Sequence, residues 1–162
     1  MKPFLFTLAM LILFAIFLTY QTDNNTYIRQ LEKLKYVADE CSGAAGLLYD
    51  EEAYSEGITV YNQEEGKKII KYLIKENLEL EDEHSPSESS YWKDEVQYEI
   101  IFFDNSNTSF PYYYTDSQER FTKLIAEPTI IVEINTGEPP FRLKFLPRKD
   151  AIRSSAYEYL DR

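Results

Sequence analysis

The sequence predicts an α+β fold in which an N-terminal transmembrane helix extends into a second helical stretch, followed by one further amphipathic helix and a mainly antiparallel β-sheet. Residues 4–20 form an uncharged apolar run, helical spacing of apolar residues recurs further along, and strand-like segments fill the C-terminal half. A chain of 162 residues has room for an anchor and one domain. We therefore expect a membrane anchor over residues 1–25 and a single extracytoplasmic α+β domain over residues 26–162.

The apolar run at residues 4–20 reaches the length of roughly 17 to 25 residues with which a helix crosses a bilayer. A cleaved signal peptide is the alternative, but residues 16–20 lack the small residues of a cleavage site, so we expect the helix to be retained. Lys2 precedes the run, and the next basic residue is Arg29. The expected topology is a single pass through the cell membrane, with the N-terminus inside and the domain outside the cytoplasm.

The charge balance and the cysteine content restrict the class of protein. Acidic residues outnumber basic residues 28 to 17, which gives a formal charge of −11. A surface of this sign repels phosphate backbones, so we expect no nucleic-acid partner. Cys41 is the single cysteine, so the exported domain has no internal disulfide and must be held by an ordinary core. This combination favours a bacterial cell-surface protein.

A second helical stretch follows the polar link at residues 21–26, because apolar and small residues recur at steps of three and four as far as Leu48. Its far end, residues 41–46, consists of small residues that allow another backbone to approach closely. The predicted assembly interface consists of Ala38, Cys41, Ser42 and Ala45. The alternative is that a helix or strand of the same domain covers this face.

The remaining elements follow from caps, turns and periodicity. Residues 58–61 predict a short strand or an extended link, and the spacing of Asn62 and Glu65 predicts a capping box that starts an amphipathic helix. An acidic, serine-rich segment at residues 79–90 predicts an exposed loop. Strands are predicted at residues 95–104, 110–115, 121–126, 129–135, 141–146 and 151–160, and the last of these segments could also be a helix.

The residue patterns offer little support for catalysis or metal binding. Cys41 would need a base to act as a nucleophile, and the only histidine, His84, lies in the acidic loop. Triad, phosphate-loop and dinucleotide-binding patterns are missing. The acidic clusters at residues 50–52 and 79–83 lack calcium-loop spacing, so we expect solvated surface there, with calcium binding as the alternative. We therefore expect no enzymatic activity, no cofactor and no metal site.

Tyrosine is over-represented, with 14 copies, and three of them form the block Tyr112, Tyr113 and Tyr114. Amphipathic rings give contact area at low entropic cost, so this block predicts a binding surface. The alternative is that the tyrosines are present for their strand propensity.

The layout of the whole chain resembles that of a known group of proteins. An apolar N-terminal helix runs on into a helix rich in small residues, which ends Lys35-Tyr-Val-Ala-Asp-Glu-Cys-Ser-Gly-Ala-Ala-Gly-Leu-Leu48, and a sheet domain follows. This plan resembles pilins and pseudopilins, and within that group most resembles the TadE-like proteins of tight-adherence pilus systems. Prepilins carry a Gly before the processed residue and a Glu at the fifth position after it, whereas the first glycine here is Gly43 and the first glutamate is Glu32.

Two functional hypotheses follow. The resemblance implies an accessory or minor subunit of a pilus-like assembly, anchored in the membrane and packed laterally against its neighbours or against copies of itself. The rival is a monomeric ligand-binding or sensing ectodomain, which would use residues 112–114 or a pocket between the sheet and the helices. A concave apolar pocket with convergent polar groups would favour the rival, and a flat sheet with an exposed small-residue helix face would favour assembly.

Overall fold

The computed structural model describes residues 2–116 and 122–159, and its mixed α+β architecture confirms the predicted fold class. The helices are α1 (Lys2–Gly46), α2 (Glu51–Ser55) and α3 (Gln63–Leu78). The strands are β1 (Gln97–Phe103), β2 (Tyr112–Thr115), β3 (Thr122–Ile125), β4 (Thr129–Asn135) and β5 (Ile152–Glu158).

Helix α1 runs without a break for 45 residues, which makes it about 68 Å long at 1.5 Å per residue. The polar link at residues 21–26 continues the helix, and the Thr22 and Thr26 hydroxyls donate back to backbone carbonyls of the preceding turn at 2.8 and 3.0 Å. The helix is long and apolar enough to cross a membrane. Its most apolar 18-residue window has a mean hydropathy of 2.2 and no part of it is buried in the protein.

Helix α3 begins where the capping-box spacing predicts. The side chain of its N-cap, Asn62, accepts a hydrogen bond from the backbone N–H of Glu65 at 3.2 Å. The lysines Lys67 and Lys71 lie on the exposed face, as an amphipathic helix requires. The buried face consists of Gly66, Ile70, Ile74 and Leu78.

The second half of α1 packs on α3 in an antiparallel arrangement. The Asn77 side-chain amide donates to Glu40 at 3.2 Å, and the Cys41 thiol lies 3.8 Å from the Ile70 carbonyl oxygen. Leu34 and the residues that follow it on the same face are fully buried in the main core. The helix pair therefore covers one face of the sheet, and the first half of α1 extends beyond the domain.

The sheet beneath the helices has the strand order β1-β4-β5, with antiparallel pairing throughout. Side chains alternate between the faces of the central strand β4. Ile130, Val132 and Ile134 enter the main core beneath the helices. Ile131 points the other way and joins a second cluster with Ile125 of β3. Because both faces of β4 are covered, its residues are buried almost continuously, and the four aliphatic side chains lie at residues 130–132 and 134.

A separate antiparallel pair, β2 and β3, covers that second cluster. Tyr112 lies opposite Ile125, and Thr115 lies opposite Thr122. The strands predicted at residues 110–115 and 121–126 are confirmed within the described residues, since 117–121 lie outside them.

The strand predicted at residues 141–146 is wrong, because this segment forms an irregular loop that ends in a turn. In the part of the chain that the structure describes, the sheet consists of β1, β4 and β5, and this segment pairs with neither outer edge. The backbone N–H of Arg142 donates instead to the Asp23 carboxylate at 2.9 Å. The other strand predictions are confirmed by β1, β4 and β5, the last over residues 152–158 of the predicted 151–160.

Two of the predicted connections differ in detail from the structure. Residues 58–61 form an extended link with a single bridge between Tyr49 and Tyr61. The acidic loop at residues 79–90 is exposed at residues 79, 81–84 and 88–89, as predicted, but Leu80 and Ser90 are buried. The Ser90 hydroxyl donates to the Leu78 carbonyl at 2.7 Å and ties the loop to the end of α3.

Candidate functional site

The predicted assembly interface lies inside the domain. Ala38, Cys41 and Ala45 are fully buried and Ser42 is 1% exposed, because α3 and β5 cover this face of α1. The Ser42 hydroxyl donates to the Ser155 hydroxyl of β5 at 3.0 Å. The prediction of an interface at these four residues is therefore corrected: the alternative holds, and the domain itself covers the small-residue face.

Two glycines, Gly46 of α1 and Gly66 of α3, lie where neighbouring elements pack too closely for a larger residue. A Cβ on Gly46 would overlap the ring of Tyr157 in β5, whereas a Cβ on Gly43 would only reach ordinary contact with the same ring at 4.0 Å. On α3, a Cβ on Gly66 would lie 3.0 Å from the Phe102 ring. Close approach between elements of the same chain therefore accounts for the sequence signal.

The tyrosine block divides between surface and core. Tyr113 is 71% exposed, and Tyr112 is 43% exposed while its ring contacts Phe103 at a centroid distance of 5.5 Å. Tyr114 is half-buried and also contacts the Phe103 ring, at 5.4 Å. Tyr112 borders an open cleft of about 410 Å³ that is also lined by Phe102, Phe103, Asn107, Thr108 and Ser109.

Cys41 and His84 are engaged in separate structural contacts. Cys41 is buried between α1 and α3. The His84 Nδ1 lies 2.8 Å from the Val96 carbonyl oxygen, and its ring stacks on Tyr98 at 5.5 Å. Neither group has the open, paired setting of a nucleophile and its base.

The contacts around His84 extend to an ion pair on the surface. The Tyr98 hydroxyl donates to Glu83 at 3.3 Å, and Lys71 donates to the same carboxylate at 2.9 Å. The hydrogen bond and charge of Lys71 lower the pKa of Glu83, and burial together with the Glu83 charge raises the pKa of Tyr98 to about 12. Within residues 2–116 and 122–159, no group of three or more His, Cys, Asp or Glu side chains is arranged to hold a metal ion.

One face of α1 outside the apolar run is left uncovered by the domain. Ile28 is 46% exposed and Tyr36 is 63% exposed. Both border a shallow groove of about 560 Å³. We call this face the uncovered stripe, and its lining residues are Ile28, Leu31, Glu32, Lys35, Tyr36, Asp39 and Arg153.

A cluster at the end of the domain nearest the apolar run was missed by the sequence analysis. The Tyr27 ring makes edge contacts with Trp92 at 6.4 Å and with Phe141 at 5.5 Å. The next residue in the loop, Arg142, forms an ion pair with Asp23, its Nε lying 2.8 Å from a carboxylate oxygen. The available signal was the run of basic and apolar residues at 141–149, which strand periodicity obscured.

No protein-family model matches the chain, and neither a curated protein nor a solved structure matches it. The resemblance to pilins and TadE-like proteins therefore stays a prediction from the layout of the chain. The site must be interpreted from its own geometry.

Proposed function

We propose that this chain is a membrane-anchored, non-enzymatic protein of the cell surface that serves as an accessory or minor subunit of a pilus-like assembly. The division of α1 carries the proposal. Residues 4–20 are apolar on all sides and uncovered, whereas the following half of the same helix is built into an α+β domain. A helix with an apolar surface all round and no protein cover fits a lipid environment. An anchor continuous with a helix of the outer domain is also the plan that the resemblance to pilins implies.

The proposed orientation follows from the charges that flank the apolar run. Lys2 lies before it, and residues 21–28 after it contain no basic residue. Basic residues are retained on the cytoplasmic side, so the N-terminus stays inside and the domain is exported.

The uncovered stripe replaces the small-residue face as the proposed surface for lateral assembly. Ile28 and Tyr36 lie two helical turns apart on the same side of α1, and the domain leaves both exposed. The stripe begins about two turns beyond the apolar run, so neighbouring anchors that pack in a bilayer would bring these stripes together. Both charges line the groove: Lys35 and Asp39 form an ion pair within α1, and Glu32 and Arg153 add one charge of each sign.

The proposal of a non-enzymatic role has its support in the two side chains that the sequence offered for catalysis. Cys41 is buried against α3, and His84 is held in the acidic loop by the Val96 carbonyl and the Tyr98 ring. Nucleophilic catalysis would require them to meet at an accessible cleft.

Position-specific photo-crosslinking in membranes tests the assembly role. A photoreactive amino acid replaces Tyr36 in one variant and Tyr72, which is 58% exposed on α3, in the matched control. We expect adducts at position 36 whose partners, identified by mass spectrometry, are copies of this chain or other single-span proteins. Adducts of equal yield at both positions, or none at position 36, would contradict the proposed surface.

A second candidate function, ligand binding by a monomeric ectodomain, has support in the cleft of about 410 Å³ beside Tyr112. Its wall combines aromatic rings with the polar side chains of Asn107 and Thr108. Binding of small organic fragments, followed by NMR in detergent micelles, separates the two functions. Fragments that cluster at this cleft favour a ligand site, whereas fragments that cluster at the uncovered stripe favour a protein interface.

A further inference from the structure

The loop between β4 and β5 has a composition unlike the rest of the chain. Residues 141–149, Phe-Arg-Leu-Lys-Phe-Leu-Pro-Arg-Lys, contain four basic residues and no acidic residue in a protein whose net charge is −11. Four further residues of the segment are large and apolar. We call this segment the basic loop. Such a mixture of cationic and apolar side chains is typical of segments that lie on anionic membrane surfaces.

The structure fixes the basic loop beside the end of the apolar run. Arg142 donates to the Asp23 carboxylate through its backbone N–H at 2.9 Å and through Nε at 2.8 Å. Its Nη2 lies 3.4 Å from the carbonyl oxygen of Thr19, which belongs to the apolar run itself. The Phe141 ring rests against Tyr27. These contacts hold the loop to α1 across more than a hundred residues of sequence.

The position along α1 corresponds to the headgroup layer of a bilayer. A hydrocarbon core of about 30 Å is flanked on each side by roughly 5 to 7 Å of headgroups. Residues 4–20 account for about 26 Å as a helix, and Asp23 lies about 4.5 Å beyond Tyr20. A bilayer crossed by residues 4–20 would therefore place Asp23, and the loop bound to it, among the headgroups.

The side chains of the basic loop are available for such a contact. Phe145 is 72% exposed, the highest value among the large apolar residues of the described structure. Lys144 and Lys149 are exposed and have no ion-pair partner among the described residues. Arg142 pairs with Asp23, and Arg148 lies 3.7 Å from Glu138. The two lysines can therefore bind phosphates while Phe145 enters the interface, where aromatic rings are favoured.

We propose that the basic loop is a second membrane contact, which docks the domain on the headgroups of anionic lipids through Lys144, Lys149 and Phe145. This inference rests on the proposed anchoring of residues 4–20. Two contacts, the anchor and the loop, would fix how the domain sits on the bilayer, since the anchor alone leaves the domain free to tilt.

Depth-dependent quenching by brominated lipids tests the contact. The full chain is reconstituted into vesicles of brominated phosphatidylcholine, with or without brominated phosphatidylglycerol, and flotation first verifies that it is anchored. Phe145→Trp adds a fluorophore in the loop, and Tyr113→Trp adds one at the opposite end of the domain. The single native tryptophan, Trp92, is 2% exposed and gives the background in the parent chain.

We expect quenching above the parent for Phe145→Trp in vesicles with phosphatidylglycerol, and none for Tyr113→Trp. Adding Lys144→Gln and Lys149→Gln should lower the ratio of docked to free loop about 30-fold. Each basic residue at an anionic surface contributes about fivefold to this ratio, and the two contributions multiply. Lys67→Gln with Lys75→Gln on α3 removes the same charge and should leave quenching unchanged.

The outcomes separate the two proposals. A chain that floats with vesicles but shows no added quenching for Phe145→Trp overturns the loop contact and leaves the anchor intact. A chain that does not float overturns both. Equal quenching with and without phosphatidylglycerol overturns the docking of the lysines on anionic lipids.

Discussion

The two halves of α1 belong to one unbroken helix but have different surfaces. Residues 4–20 are apolar on every side and uncovered, so large side chains such as Phe6 and Phe14 are 70% and 59% exposed. In the second half, the face that carries Leu34 and Val37 is fully buried, and the remaining surface mixes charged residues with a few apolar ones. The comparison teaches that the distribution of apolar residues around a helix, rather than their number, separates a candidate for lipid contact from a helix built to pack on protein.

The largest effect that we expect comes from a substitution that destabilises the domain around the second half of α1 and leaves the apolar run unchanged. Val37→Asp places an unpaired carboxylate in the core between α1 and the sheet, which should destabilise the domain by roughly 3–5 kcal/mol. Urea unfolding of the detergent-solubilised chain, followed by Trp92 fluorescence, measures this loss. Tyr36→Asp, on the uncovered stripe, is the control and should change stability by less than about 0.5 kcal/mol. Equal losses in the two variants would contradict the burial of Val37.

The converse prediction concerns a substitution that impairs membrane insertion of residues 4–20 and leaves the stability of the domain unchanged. Ile12→Asp places a carboxylate at the centre of the apolar run, at a cost to membrane insertion of about 2.5–3.5 kcal/mol. Flotation with vesicles should fall, while the urea midpoint reported by Trp92 stays at that of the parent. Ile12→Leu keeps the apolar surface and should float like the parent. Undiminished flotation of Ile12→Asp would argue against a lipid environment for this half.

A subtler change tests the close approach of α1 and β5. Gly46→Ala forces the new Cβ into the Tyr157 ring, and we expect a loss of about 1–3 kcal/mol from the displaced side chain. The loss should shrink in the double variant with Tyr157→Ala, because the obstructing ring is gone. The same urea titration measures the free energy of unfolding of each variant. If the loss in the double variant equals the sum of the losses in the two single variants, the Tyr157 ring is not the cause.

The smallest expected effect has the opposite sign. Gly43 lies three residues earlier in α1, and a Cβ there would meet Tyr157 only at 4.0 Å. Gly43→Ala should therefore stabilise the domain by up to about 1 kcal/mol, since alanine is the better helix former and nothing must move. A destabilised Gly43→Ala variant, in the same titration, would mean that β5 lies closer to this turn than the structure places it.

Local signals in the sequence were enough to predict most of the fold. The capping pair Asn62 and Glu65 located the start of α3, and alternation located β1, β4 and β5. Strand propensity failed at residues 141–146, because this segment binds α1 through Arg142, and local propensity carries no information on such a distant contact. The Asp23 carboxylate that binds this loop lies 119 residues away from Arg142 along the chain.

The candidate site was less predictable than the fold, for a physical reason. The small residues at positions 41–46 indicate that another element packs closely against the helix, but they do not indicate which element. In the structure, the elements that pack there are α3 and β5 of the same chain. The tyrosine block was predicted as one surface, yet its side chains alternate along β2. The Tyr112 and Tyr114 rings contact Phe103 of the second cluster, whereas Tyr113 is exposed. Whether a patterned face is inside or outside depends on tertiary contacts, which single-sequence patterns do not contain.

The unbroken course of α1 through residues 21–26 has a mechanical consequence. Because α1 has no hinge after the apolar run, any tilt that a bilayer imposes on residues 4–20 tilts the domain by the same angle. The 26 residues from Tyr20 to Gly46 correspond to about 39 Å of helix, so a tilt of roughly 10° would displace the far end of the helix by about 7 Å. The length and tilt of the helix would then determine how far Tyr112 and Tyr113 lie from the membrane surface.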